Sequence, residues 1–197
     1  MKAYIVGTAA KAALLALGML TASAGIAAAG PIADHAAESE ALLGAGKAAD
    51  AMTAFDQATD AFWQASPLQF RDLLFVDAVS GYGRYTPHPG ATYKAGDTAV
   101  IYFEPVGYGF GTAGDDTRIG FTTGLEIKTP DGLILAKTSD FADLEWRGAA
   151  RTHEFYGSLS VALPGNLKTG DYQLILTITD MVSKKTITTT LLFDIAA

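Results

Sequence analysis

A chain of 197 residues, 49% hydrophobic and 18% charged, is long enough for one ordinary domain with an accessory segment and too apolar for a disordered tail. Its formal charge of −7 repels phosphate backbones, which argues against nucleic acid as a partner. With no cysteine it has no disulfide and no thiol chemistry, so a packed core must hold it.

The first 29 residues predict a secretory signal. Lys2 and Lys11 precede the uncharged small-residue run AALLALGMLTASAGIAAA, and Ala22-Ser23-Ala24 and Ala27-Ala28-Ala29 both suit signal peptidase. Cleavage is expected after Ala24 or Ala29. The run is rich in alanine and glycine, which partition poorly into hydrocarbon, so no stable membrane span is expected after cleavage. Cleavage removes two lysines and no acid, leaving 12 basic against 21 acidic side chains, a charge of −9. The expected location is the periplasm or exterior of a bacterium.

A helical hairpin is predicted over residues 33–72. Asp34 suits a helix start, Gly44-Ala45-Gly46 breaks the helix, and KAADAMTAFDQATDAFWQA resumes it. In the second helix Ala48, Met52, Phe55, Thr59 and Phe62 fall near one face, which must be covered by the rest of the chain or by a second one. Ser66-Pro67-Leu68-Gln69 has capping-box form with proline at the first helical position, predicting a short third helix. Gly46 to Met52, Phe55 to Ala58 and Pro67 together resemble one tetratricopeptide unit, without the further copies an array requires.

The β region is expected from residue 73 to 197. LLFVDAV, 73–79, reads as either a helix end or a strand, its β-branched and aromatic content favouring a strand that bends at Ser80-Gly81. TAVIYFE follows the turn Lys94-Ala95-Gly96-Asp97. GFTTGLEIKT puts Phe121, Thr123, Leu125 and Ile127 on one face, and Pro130-Asp131-Gly132 turns it into LILAKTS. Leu159, Val161 and Leu163 face inward in the next strand. Tyr172, Leu174, Leu176 and Ile178 do so in LKTGDYQLILTITD; after a turn at Met181–Lys185, Ile187, Leu191, Phe193 and Ile195 follow. Seven or eight strands with turn signals about every ten residues predict an antiparallel Greek-key sandwich. Each large side chain buried between two sheets contributes about 1.5–3 kcal/mol.

Tyr93-Lys94-Ala95-Gly96-Asp97-Thr98 and Gly170-Asp171-Tyr172-Gln173-Leu174, each entering a strand, resemble bacterial immunoglobulin-like or fibronectin type III-like domains over about residues 82–197. The resemblance implies an Ig-like sandwich in which Tyr172 forms a tyrosine corner, a structural role. The paired cysteines and the core tryptophan of antibody-type domains are missing, and the resemblance implies no activity.

Chemistry is sparse. His35, His88 and His153 lie in separate segments without metal-ligand spacing, Ser158 lacks a nucleophile-elbow context, and the acids are scattered through turns. No catalytic residue, metal or cofactor is therefore expected. PVGYGFGTAGDDTRIG, 105–120, reads as a long loop carrying Tyr108, Phe110, Asp115 and Asp116, and DFADLEWRG, 140–148, as a crossover carrying Trp146. These five are the candidate ligand or partner residues. The expected function is that of a non-catalytic interaction module binding another protein through a sandwich loop or the helical stripe. The alternative is a small-ligand or carbohydrate-binding module using the loop aromatics.

Overall fold

The computed structural model describes residues 30–196; the expected signal peptide lies outside the described residues. Helix α1 (Pro31–Gly44) has proline at its first position and Gly30 as N-cap, so Asp34 lies inside the first turn, where its charge suits the helix dipole, and is not the cap. Gly46, at φ 74°, turns the chain into α2 (Ala48–Ala65). The pair closes on alanine: Ala51, Ala54 and Ala58 are buried, and the Ser39 hydroxyl donates to Ala51 O at 2.8 Å. The predicted third helix does not form. Ser66 leaves α2 in an extended conformation, Leu68 enters the core, and pairing begins at Gln69.

Among the described residues ten strands follow: β1 (Gln69–Gly81), β2 (Arg84–Pro87), β3 (Thr92–Tyr93), β4 (Thr98–Val106), β5 (Gly111–Ala113), β6 (Asp116–Lys128), β7 (Ile134–Gly148), β8 (Gly157–Ala162), β9 (Gly170–Asp180) and β10 (Thr186–Ile195). They form two sheets of a β-sandwich. The first runs β2-β1-β4-β8, antiparallel throughout. The second runs β3-β10-β9-β6, with β7 along the far side of β6 and β5 pairing its start; the short β3–β10 contact is parallel.

Residues 73–79 are strand, but Ser80-Gly81 is not a bend in one strand: β1 folds back on β2 through Tyr82-Gly83. The predicted long loop at 105–120 is a crossover followed by the β5–β6 hairpin. The predicted crossover at 140–148 is strand as well, since β6 is long enough to pair with β7 from Thr117 to Lys128.

Alternation places the core. Ala99, Ile101 and Phe103 of β4 and Leu159 and Val161 of β8 face Ile119, Phe121, Leu125 and Ile127 of β6, with Leu174, Leu176 and Ile178 of β9. Phe103 fills the space beside Gly157: a Cβ there would lie 2.2 Å from the ring's Cζ. At the crossover Gly107 has φ 77°, and a Cβ would sit 2.3 Å from Pro67 O, so only glycine lets β4 leave its sheet beneath the helix exit. Asp180, fully buried, receives Gly109 N at 2.6 Å, Val182 N at 2.8 Å and the Ser183 hydroxyl, and so ties this crossover to the β9–β10 turn. The Tyr172 hydroxyl donates to Lys168 O at 2.8 Å, which ties the start of β9 to the turn before it. His88 lies between the Asp77 carboxylate, 2.5 Å from Nδ1, and Thr92 O, 3.2 Å from Nε2, and stacks on Tyr93. The Asp77 bond raises its pKa.

Candidate functional site

The C-terminal half of α2 is fixed to one end of the sandwich. The Trp63 indole N–H donates to Tyr108 O at 2.8 Å, and its ring meets Tyr108 and His153 edge-on, with centroids at 5.0 and 4.3 Å. Arg151 pairs with Asp60 at 2.7 Å and lies over the Phe110 ring. The Lys185 ammonium donates to Gln64 O at 2.9 Å, Ser66 O at 2.6 Å and Gly107 O at 2.9 Å. That places a cation on the carbonyls at the negative end of α2. His153 is pressed between Trp63 and Phe110; its Nε2 is buried with no hydrogen-bond partner among the described residues, 4.0 Å from Asp60. Burial lowers its pKa, with Asp60 acting in the opposite sense.

This joint sets which face of the hairpin stays open. Ala51, Ala54 and Ala58 point at α1 and Trp63 at the sandwich. The predicted stripe is the face in between, and none of the described residues covers it: Met52 is 63% exposed, Phe55 55% and Phe62 59%. On α1, Leu43 and Ile32 are exposed too. Helical phasing in an antiparallel pair sets them on the same broad side as the α2 stripe. Spacing correctly grouped these residues but gave no sign that small alanines, not the large side chains, would form the helix–helix seam.

The five predicted loop and crossover residues do not converge. Tyr108 is a correction: its ring is 1% exposed, packed against Trp63, Phe110, Phe121 and Phe155, and its hydroxyl donates to Thr152 O at 2.8 Å. A ring sealed in the core offers no face to a ligand. Phe110 is half-buried in the same joint. Asp115 and Asp116 are exposed at the tip of the β5–β6 hairpin, and among the described residues no group of three or more metal-ligating side chains forms.

Trp146 sits on β7, its ring over Gly148 and half-buried against the core. It lines an open cleft of about 480 Å³ with Asp143, Glu145, Glu154, Tyr156 and Ser158. Tyr156 leads from this cleft onto the outer face of the first sheet, where it stacks on Tyr102 at 5.6 Å, and Tyr85 covers Tyr102 at 4.5 Å. The Tyr102 hydroxyl donates to the buried Glu104 carboxylate at 2.6 Å, and Gly83 N reaches the same oxygen at 3.1 Å. Burial and that carboxylate raise the Tyr102 pKa. Sequence reading missed this cluster. Its signal was parity: in TAVIYFE, Tyr102 and Glu104 alternate with the inward Ile101 and Phe103.

No family model matches the chain, and no curated protein matches it. Among solved structures it is similar to the C-terminal domain of Wzt, at 17% identity and a TM-score of 0.40, over 68% of this chain and 77% of that one. At that level the likeness carries no functional argument.

Proposed function

We propose that this protein is an exported, non-catalytic interaction module of the bacterial periplasm or cell exterior, an Ig-like sandwich that holds a helical hairpin out for another protein. One observation carries the reading: Met52, Phe55 and Phe62 lie uncovered among the described residues, between the buried alanine seam of α2 and the Trp63 joint. Monomeric proteins rarely expose contiguous apolar surface of this kind unless something binds it. Covering three such side chains recovers a few kcal/mol, at about 1.5–3 kcal/mol for each large side chain fully buried. The rigid joint at Trp63 and Lys185 supports the same reading, because a fixed surface loses little entropy on binding. A photo-crosslinking residue at position 55 or 62 in living cells is expected to trap one and the same protein, with no adduct from the exposed position 190. No adduct at 55 or 62 refutes the proposal.

A second reading, carbohydrate binding, is favoured by the cleft of Trp146 and Tyr156, which joins an aromatic surface to acids and a hydroxyl. Tryptophan fluorescence during polysaccharide titration tests it; a flat response across all sugars removes it.

A further inference from the structure

The exposed hairpin face has a chemical border. Residues 30–65 carry Asp34, Glu38, Glu40, Asp50, Asp56 and Asp60 against the single lysine Lys47, and Asp60 already serves Arg151. The five exposed apolar side chains, Ile32, Leu43, Met52, Phe55 and Phe62, include no charge. Phasing puts Glu40 on the α1 border of this face and Asp56 on the α2 border. Two antiparallel helices with one shared apolar side form two-thirds of a three-helix bundle, and the missing layer is a third helix.

We propose that the hairpin face receives a basic amphipathic helix of a partner protein, one whose apolar stripe faces Met52, Phe55 and Phe62 with lysines or arginines on its flanks. This rests on the protein-binding reading above and names the partner's chemistry. Charge complementarity selects this occupant. A second copy of the chain would set acidic border against acidic border. An anionic lipid surface would meet the same acids. From Met52 to Phe62 the stripe spans about 15 Å at 1.5 Å per residue, so the docked helix needs about three turns. The mode is helix-in-groove recognition, read through anchors at helical spacing.

The test uses the full chain at physiological salt and three labelled synthetic 18-residue peptides, read by fluorescence anisotropy. One is a leucine/lysine amphipathic helix, one its leucine/glutamate counterpart, and one a scrambled leucine/lysine sequence. The proposal expects the leucine/lysine helix to bind at least tenfold tighter than the other two. Phe55→Ser with Phe62→Ser should lower that affinity at least tenfold while leaving the thermal melt unchanged. Glu40→Lys with Asp56→Lys should shift preference towards the leucine/glutamate helix. Equal binding of the two amphipathic helices overturns the charge assignment and leaves the protein-binding reading standing. Binding of the scrambled peptide as tightly as the amphipathic one overturns the proposal as non-specific attraction. A dimer in sedimentation velocity that Phe55→Ser abolishes makes the occupant a second copy. Phosphatidylcholine vesicles binding in place of any peptide would overturn both readings.

Discussion

Replacing Lys185 by methionine keeps the apolar stem and removes the ammonium from Gln64 O, Ser66 O and Gly107 O. Two of these carbonyls close α2, and the third belongs to the crossover leaving β4. A hydrogen bond from a charged donor contributes about 1.5–3 kcal/mol, and a cation at a helix C-terminus adds about 0.3–1 kcal/mol. Lys185 is partly accessible, so water re-satisfies some of what is lost. A net cost of about 2–3 kcal/mol is therefore expected, falling on docking of the hairpin and not on the sandwich. At 1.36 kcal/mol per factor of ten, this is a rise of roughly 30- to 150-fold in the opening equilibrium of α2. Amide hydrogen exchange reads it directly. Residues 58–65 should lose protection by that factor, while the core amides of β6 and β9 change less than threefold. Equal loss in both regions, or none in α2, refutes the claim that this cation fastens the hairpin.

His88 and His153 should oppose each other with pH. His88, raised above its ordinary value of 6.5 by Asp77, contributes stability that is complete below pH 6.5 and fades as pH rises through its folded pKa. His153, lowered by burial, is held neutral, so stability is complete above 6.5 and is lost as pH falls through that value. Urea midpoints between pH 5.5 and 8 should show that His153→Gln reduces the acid-side loss and Asp77→Asn the alkaline-side loss. Unchanged slopes would remove both assignments. Gly157→Ala drives a methyl into the Phe103 ring and should cost about 1–3 kcal/mol, seen as a lower denaturation midpoint at constant slope. In a Phe103→Leu background the penalty should at least halve; a full penalty there would point to the backbone as its source.

The strands were legible wherever one face meets the core. Alternation in GFTTGLEIKT and LKTGDYQLILTITD survives because a one-residue slip would turn every apolar side chain outward. Local cues failed where a distant partner decided. Ser66 to Gln69 has a helix start's chemistry, yet β4 supplies ladder partners from Val106 to Val100, and extended pairing prevails. DFADLEWRG has too many polar residues to announce a strand, because β7 lies at the open side of its sheet and alternates half-buried with exposed residues. Tyr108, set among glycines, has the local signature of a loop. Nothing near it in the chain announces that Trp63, 45 residues earlier, and Phe155 close over its ring.

Composition and periodicity alone settled the class: helices first, then paired strands whose alternate side chains are apolar, with no disulfide and no thiol. Those properties depend on which residues follow one another at fixed spacing, and spacing is written in the chain. Which apolar face stays open was decided only in three dimensions. The Met52–Phe62 stripe and the alanine seam both have helical period, and the choice between them fell to close packing of α1 on small side chains and to the Trp63 and Lys185 contacts. These join groups 45 or more residues apart, a distance that no local pattern encodes.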